Sequence, residues 1–223
     1  MLRPSLRGHA GSLDRGRIGM DEWCADLVRL LDAEGAQRAV LGGHCLGANI
    51  AMHFAARHPE RAAGLILIEP MPREALVGTM RFLRRIRFLI SFLALVFRLL
   101  NACGIRRRSV APMDLEEWDK AVASGKRSVA SFAGPLGDLP TTPTAAYLQS
   151  LMGVLRALPA ARQVSCPALV LLSKGSLLTD PARVRAAMEK LQEVELVELP
   201  ALHWIPTEQP EAMRATIERW LAS

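Results

Sequence analysis

The sequence predicts an α/β fold in which a mostly parallel β-sheet carries helices on both faces and is interrupted by an inserted helical cap. Short apolar segments typical of buried strands alternate along the chain with helical segments that are amphipathic or rich in alanine. Such continuous apolar runs are typical of parallel strands, because both of their faces are covered. Between the second and third strand segments, roughly ninety residues have helix and loop patterns only.

Four elements are predicted before this insertion, from apolar spacing and from glycine or proline stop signals. They are a helix over residues 20–35, a strand over 38–43, a helix over 47–60 and a strand over 64–70. Asp21 gives the first helix an acidic start and Gly35 ends it. Pro59 ends the second helix, because the residue before a proline disfavours the helical conformation.

Four further elements are predicted after the insertion. They are a strand over 167–172, a helix over 180–192, a strand over 194–200 and a helix over 210–222. Asp180 is expected to cap the third of the core helices, which begins with Pro181. The predicted division is a first core part over 1–70, a helical cap over 71–164 and a second core part over 165–223.

The charge distribution argues against a nucleic-acid-binding protein. The formal net charge is +6, but residues 81–108 contain eight arginines and no acid. Without these arginines the rest of the chain would carry about two net negative charges. The basic character therefore belongs to one segment and does not indicate a generally basic surface.

The cysteines and apolar runs restrict the class of protein further. Four cysteines, at positions 24, 45, 103 and 166, show neither CxxC spacing nor a metal-ligand pattern. We therefore expect reduced thiols in a cytoplasmic protein, with no metal and no organic cofactor. The N-terminal residues show no signal-peptide pattern. The longest apolar run, over residues 88–97, is about half the ~20 residues that a membrane-spanning helix needs.

Residues 43–47 (GHCLG) match the pattern G-x-nucleophile-x-G at a turn from a strand into a helix. In such a turn the nucleophile stands above the sheet, and Gly43 and Gly47 are expected to let strand and helix approach closely. Cys45 occupies the nucleophile position, and the Leu46 N–H is expected to point at a developing oxyanion. The alternative interpretation is that Cys45 is an inert buried thiol.

Three segments resemble the α/β-hydrolase superfamily, in that family's order and spacing. Residues 6–12 (LRGHAGS) resemble the turn after its fourth strand, 42–48 (GGHCLGA) its nucleophile elbow, and 199–221 its last strand, histidine loop and last helix. The resemblance implies that Cys45 is the nucleophile and His203 the general base, as in superfamily members similar to dienelactone hydrolase, which use cysteine. His44 and His9 are then expected to orient loops.

The third member of the catalytic set stays open in the sequence. The family's acid usually follows the strand over 167–172, but Ser176 stands where a carboxylate is expected. Two alternatives remain. Asp180 lies four residues further on and is also well explained as a helix N-cap. Glu69 closes the strand over 64–70, where some lipases in the superfamily carry a relocated acid, and is equally compatible with an ordinary loop carboxylate.

The resemblance also implies segments that the sequence does not contain. The family's first three strands and its oxyanion loop should precede residues 6–12. We therefore expect an N-terminally truncated copy in which the strand over 38–43 has an open edge and promotes self-association. Loss of one oxyanion donor typically lowers turnover by on the order of 10²–10³.

Within the insertion, one helical segment is apolar nearly all round and is flanked by arginines. Its main apolar stripe consists of Leu83, Ile86, Ile90, Leu93 and Phe97. A helix of this kind is buried, or faces both a core and an apolar ligand. We interpret it either as a lid over an apolar acyl pocket that also touches an anionic membrane surface, or as a cap helix packed on its own domain.

These observations predict hydrolysis of an ester or thioester of an apolar acid, a small-molecule substrate. Cys45 would attack the carbonyl with His203 as base, and water would release the acyl-enzyme. The competing hypothesis is a non-catalytic remnant that binds an apolar ligand or a partner chain. The intact GHCLG turn and the position of His203 favour the enzyme, whereas the absent oxyanion loop and Ser176 favour the remnant.

Overall fold

The protein is described by a computed structural model that covers residues 1–9, 11–12, 16–105, 124, 139 and 141–223. Its described residues form a four-stranded sheet in which all neighbouring strands are parallel, in the order β1-β2-β3-β4. The strands are β1 (Ala39–His44), β2 (Ala62–Ile68), β3 (Ala168–Ser173) and β4 (Val194–Leu199). The predicted α/β class with a parallel sheet is therefore confirmed.

Eight α-helices lie within the described ranges. They are α1 (Met20–Ala33), α2 (Leu46–Arg57), α3 (Gly78–Arg85), α4 (Arg87–Ala102), α5 (Thr144–Val154), α6 (Pro181–Met188), α7 (Ile205–Glu208) and α8 (Pro210–Ala222). A short 3₁₀ turn spans Ala161–Gln163. Of the predicted core helices, α6 differs most, because it ends at Met188, after which a turn brings Leu191 into the core.

Both faces of the sheet are covered, as the continuous apolar runs predict. Leu65 and Leu67 of β2 pack in a core cluster with residues of α2 and α6. The alternate residues Ile66 and Ile68 pack in a second cluster with residues of α7 and α8. The two-residue period of a strand thus supplies both cores from one apolar segment.

Helices α3, α4 and α5 lie between β2 and β3 in the chain and form an apolar cluster on the side of Cys45. Its buried members are Met71, Leu76, Met80, Ile90 and Leu155. Helix α4, however, fully buries only Ile90 and Ala94. Phe88 and Phe92 on its other face are 75% and 60% exposed, so the alternative in which this helix is buried all round is wrong. Packing partners cover one face of α4 only.

The arginine-rich segment 81–108 is described as far as residue 105, so Arg106, Arg107 and Arg108 lie outside the described residues. None of the helices that the structure describes combines the length and the apolar character needed to cross a membrane. Strand β1 pairs with β2 and forms one edge of the described sheet. The strand over 38–43 thus lies at a sheet edge, and Val40 in it is 41% exposed.

Candidate active site

Cys45 lies at the turn between β1 and α2 in a backbone conformation that few residues adopt. Its φ and ψ angles are 53° and −110°, and it occupies the N-cap position of α2. Its N–H donates to the Ile68 carbonyl, 2.9 Å away, which continues the pairing of β1 with β2. Such strain persists only where the surrounding structure holds the residue in place. Because Leu46 is the first residue of α2, its N–H belongs to the helix terminus that lacks intrahelical acceptors.

Of the two glycines in the turn, only Gly43 is required by close packing. A Cβ atom on Gly43 would lie 2.3 Å from the Gly47 carbonyl carbon, which is far inside van der Waals contact. A Cβ on Gly47 would meet no atom within 4 Å. The sequence-based expectation that both glycines relieve a strand–helix clash therefore holds for the first glycine and is wrong for the second.

His203 is held in a buried position by Glu69. The imidazole is 1% exposed and the Glu69 carboxylate 3% exposed, with 2.8 Å between His203 Nδ1 and Glu69 Oε2. The second carboxylate oxygen, Oε1, accepts a hydrogen bond from the Ser173 N–H. Both carboxylate oxygens are therefore engaged, which restricts the rotation of the carboxylate and orients the ring.

Cys45, Glu69 and His203 share an uncommon backbone conformation, a positive φ. Within the described part of the chain, the non-glycine residues with positive φ are Cys45 (53°), Glu69 (50°) and His203 (122°). Cys45 and Glu69 directly follow β1 and β2, and His203 follows β4 by four residues. The carboxyl ends of parallel strands lie at one edge of a sheet, which is where ligand sites of open α/β sheets are found. Strained conformations cluster at such sites.

The electrostatic environment of His203 favours its protonated form. Burial by itself lowers the pKa of His203, but interactions with Cys45 and then with Glu69 outweigh it and raise the pKa from 6.5 to about 9. The Nε2 atom is buried and has no hydrogen-bond partner of normal geometry among the described residues. The ring nitrogen that does not contact Glu69 is therefore available to exchange a proton with a neighbouring group.

The structure distinguishes between the two candidate acids. The Asp180 carboxylate accepts hydrogen bonds from Ala182 N–H at 3.1 Å and Arg183 N–H at 3.3 Å, as an N-cap of α6 does. Ser176 hydrogen-bonds to Thr179 Oγ1 at 2.9 Å within its own turn. The carboxylate that contacts His203 is that of Glu69. The sequence motifs could not decide this, because the contact joins residues 134 positions apart.

His44 stabilises the position of the histidine loop. Its Nε2 lies 2.9 Å from the backbone oxygen of His203, to which it must donate. Burial lowers the pKa of His44 to about 4, so the ring is neutral at pH 7 and carries its proton on Nε2. His9 lies elsewhere, with its Nε2 2.9 Å from Ser150 Oγ on α5. Each of these histidines thus contacts a segment distant from it in the chain.

Glu208 is a positioning residue that the sequence analysis missed. Its carboxylate accepts hydrogen bonds from the backbone N–H groups of Leu202 at 2.9 Å and Trp204 at 3.0 Å, on either side of His203. The Glu208 carboxylate therefore holds the backbone of the loop that carries His203. Its position in α7, five residues after His203, gave no signal of this role.

A second missed contact lies next to the thiol. The Cys45 Sγ atom is 3.0 Å from Met71 Sδ. The Asn49 side chain, one turn along α2, accepts from the Met71 N–H at 2.9 Å and donates to the Met71 carbonyl at 3.3 Å. Asn49 thus fixes the backbone that carries the thioether against the thiol. An asparagine in an alanine-rich helix and a methionine after a strand have no distinguishing pattern in the sequence.

The described residues hold no group of three or more histidine, cysteine, aspartate or glutamate side chains arranged to bind a metal ion. The four cysteines form no disulfide with one another. Cys103 is exposed, Cys45 is half-buried, and Cys24 and Cys166 are buried.

Comparison with known proteins gives a family match over nearly the whole chain. A family model described as "Alpha/beta hydrolase family" matches residues 1–216. The lipase LipV of Mycobacterium tuberculosis is 37% identical over 67 residues, which are 30% of this chain and 26% of that lipase. The aligned part thus spans about a quarter of the curated relative's length.

Solved structures show the same fold at low sequence identity. A thermophilic esterase from Thermogutta terrifontis superposes with a TM-score of 0.66 at 24% identity, covering 97% of this chain and 77% of that one. The enol-lactonase from Burkholderia xenovorans LB400 also has a TM-score of 0.66, at 22% identity, covering 98% of this chain and 79% of that one. At these identities the likeness is one of fold.

The geometry of the turn predicts different outcomes for its two glycines. Gly43→Ala should destabilise the chain by about 1–3 kcal/mol, because the new Cβ forces β1 away from α2. Gly47→Ala should change stability by less than about 1 kcal/mol, since the site has room and alanine favours a helix. Urea unfolding of the two variants measures the difference, and equal destabilisation of both would contradict the packing argument.

Proposed function

Because the chain belongs to the α/β-hydrolase family, we propose that it hydrolyses an ester or thioester of an apolar acid through Cys45 and His203. The observation that carries this proposal is the buried His203, whose Nδ1 contacts Glu69 and whose pKa is raised by its interaction with Cys45, although burial opposes that rise. A nucleophile, a base and a group that orients the base are the components of nucleophilic acyl transfer.

In the proposed reaction Cys45 acts as a thiolate beside a protonated His203. The sulfur attacks the carbonyl carbon and forms a tetrahedral oxyanion, which the Leu46 N–H at the start of α2 stabilises. His203 Nε2 then donates its proton to the departing alcohol or thiol, which leaves an acyl group on the sulfur. Next, the neutral His203 takes a proton from water, whose oxygen attacks the acyl carbon. Collapse of this second intermediate releases the acid and restores the thiolate and the imidazolium.

The role proposed for Glu69 is to orient His203 and stabilise its charged form. The 2.8 Å contact fixes the tautomer with a proton on Nδ1, so that Nε2 is the nitrogen that exchanges protons. The Ser173 N–H on the other carboxylate oxygen keeps the carboxylate in place. His44 and Glu208 hold the backbone of the same loop and are proposed as positioning residues.

The surroundings of Cys45 support an apolar acyl group. The thiol packs against a cluster of buried side chains from the segment between β2 and β3, which includes Met71, Met80 and Leu155. Such a surface favours hydrocarbon over sugar or peptide groups. We propose that the insertion, residues 71–164, is a cap that forms this surface over the core parts 1–70 and 165–223. Helices α3, α4 and α5 are the part of this cap that lies within the described residues.

A second candidate function is binding of an apolar ligand or a partner chain without turnover. The observation that favours it is the position of the Met71 thioether, 3.0 Å from the Cys45 sulfur. A substrate bound at Cys45 would need the space that this thioether occupies. The edge position of β1 adds a strand that a partner chain, or a second copy of this chain, could extend. Sedimentation velocity at increasing concentration tests the self-association, which a uniformly monomeric boundary would exclude.

Peripheral contact with an anionic membrane surface is proposed for the exposed face of α4. Phe88, Leu89 and Phe92 are each more than half exposed, and arginines of α3 and α4 lie beside them. Helices of this composition bind at lipid interfaces. Co-sedimentation with anionic vesicles tests this contact, and equal recovery with neutral vesicles would contradict its electrostatic part.

The unpaired cysteines support a cytoplasmic location for the protein.

The proposed activity predicts that Cys45 is the most reactive thiol in the chain. Iodoacetamide at neutral pH should alkylate Cys45 faster than the more exposed Cys103 by about tenfold or more, because in the proposed reaction His203 takes the proton of the Cys45 thiol. Hydrolysis of a p-nitrophenyl ester should fall in parallel with that alkylation. Peptide mass spectrometry gives the two rates. Alkylation no faster than at Cys103, with no ester hydrolysis, would favour the non-catalytic alternative.

Glu69 and Asp180 make a matched pair for identifying the acid. Glu69→Gln should lower kcat/KM for the p-nitrophenyl ester by on the order of 10², because the ring loses its charged partner. Asp180→Asn should leave kcat/KM within about twofold and keep the helix capped, since asparagine is an equally good N-cap residue. Steady-state kinetics on both variants measures the effect. A larger loss for Asp180→Asn would assign the acid to Asp180.

The raised pKa of His203 predicts how stability depends on pH. The folded-state pKa of about 9 exceeds the model-peptide value of 6.5, so protonated His203 stabilises the fold below pH 6.5. This contribution is lost as the pH rises through about 9. The free energy of unfolding should fall over this window by at most about 1.4 kcal/mol per pH unit. His203→Gln should remove this dependence. Urea unfolding of the unmodified chain and of this variant at several pH values measures it. Equal slopes of the unfolding free energy against pH in the two chains would contradict the prediction.

A further inference from the structure

A separate cavity of about 700 Å³ lies beside the cap helices, between α4, α5 and the start of α1. One face of α4 forms a wall of it, with Arg87, Ser91, Ala94, Leu95 and Arg98 at helical spacing. Neither Cys45 nor His203 lines this cavity. It is therefore distinct from the site of Cys45 and His203.

The cavity carries an excess of positive charge that the described residues do not neutralise. Its charged lining residues are Arg17, Arg73, Arg87, Arg98, Arg156, Asp21 and Glu22. Arg17 pairs with Glu22 at 3.1 Å, and Arg156 lies 3.9 Å from Asp21, so the two exposed arginines have acidic partners. Arg73, Arg87 and Arg98 are half-buried and form no ion pair within the described part of the chain.

Arg98 contributes to this lining a buried donor that no described residue satisfies. Its Nε atom is buried and, among the described residues, has no hydrogen-bond partner. A buried donor without a partner destabilises the fold, and more so when it belongs to a charged group. Arg87 stacks on Phe88 at 4.7 Å, which leaves the N–H edge of its guanidinium to other partners. An anion in the cavity would satisfy the Arg98 donor and compensate the three unpaired charges.

We propose that this cavity binds the phosphate-bearing part of an amphiphilic ligand. Three guanidinium groups match a phosphate in charge and in bidentate geometry better than they match a single carboxylate. Phe92, Leu95 and Met152 in the same lining provide apolar surface for the rest of the ligand. The site thus combines a polar end with an apolar wall.

The cavity and the Cys45 site share a wall. Met152 and Leu155, at the end of α5, line the cavity and also belong to the apolar cluster against which Cys45 packs. If the proposed function holds, on which this extension rests, the ligand is the substrate. Its phosphate group would lie among the arginines and its acyl group at Cys45. An acyl thioester of a phosphorylated thiol carrier and an acyl ester of a phosphorylated glycerol both have this chemistry.

Binding is tested with pyrophosphate as the probe, by isothermal titration calorimetry on the full chain. Arg98→Gln should weaken pyrophosphate binding by on the order of tenfold. Arg81→Gln, which removes the same charge from the exposed surface of α3 and does not line the cavity, should change it less than about twofold. No binding to the unmodified chain, or equal weakening by the two variants, would overturn the proposal. If Arg98→Gln does not fold, Arg73→Gln takes its place.

Kinetics with three hexanoyl substrates separates the anion site from the proposed function. Arg98→Gln should raise KM for hexanoyl-coenzyme A or hexanoyl lysophosphatidate by about tenfold at similar kcat. Arg81→Gln should leave these KM values and the hydrolysis of p-nitrophenyl hexanoate within about twofold. The phosphorylated substrate with the higher kcat/KM identifies the source of the phosphate. Arg98-dependent pyrophosphate binding without turnover of any ester would refute the hydrolase alone. Turnover of p-nitrophenyl hexanoate without pyrophosphate binding would refute the anion site alone.

Discussion

The contact between Glu69 and His203 is the interaction on which the site depends. A carboxylate and an imidazole that are almost fully buried would each be costly to bury alone, because neither could be solvated. Their 2.8 Å contact offsets that cost and leaves Nε2 as the ring nitrogen that does not contact Glu69. The Ser173 N–H completes the coordination of the carboxylate from the end of β3. In the proposed reaction, this pair gives the thiol at the turn its oriented base.

The sheet holds the backbone of these residues in a conformation that would be unfavourable in a free chain. Cys45, Glu69 and His203 each have a positive φ, which a free chain would rarely adopt. Cys45 and Glu69 are held by hydrogen bonds that extend the parallel ladder, from Cys45 N–H to Ile68 and from Glu69 N–H to Leu171. The strands themselves are anchored by apolar clusters on both faces. A rigid, doubly covered sheet thus holds three strained residues at one edge, where their side chains meet.

The segment between β2 and β3 links the two sites that we propose. Its inner face supplies Met71, Met80 and Leu155 to the cluster around Cys45. One side of α4 supplies Arg87 and Arg98 to the separate cavity, while Phe88 and Leu89 lie at the surface. The apolar residues of α4 therefore lie on three sides of the helix, which face the protein interior, the cavity and the surface. An acyl group and a charged group of one ligand would be recognised by opposite sides of the same helices.

The sequence by itself determined the parallel sheet, the order of its elements and the turn that carries Cys45, because these depend on local patterns: apolar runs, stop residues and the GHCLG spacing. It also indicated the loop that carries His203. Only the tertiary structure shows that the carboxylate in contact with His203 is that of Glu69, since this contact depends on which strand ends are neighbours. The roles of Asn49, Met71 and Glu208, and the exposed face of α4, were likewise decided by packing between segments. Such contacts join residues without any periodicity or motif that relates them along the chain.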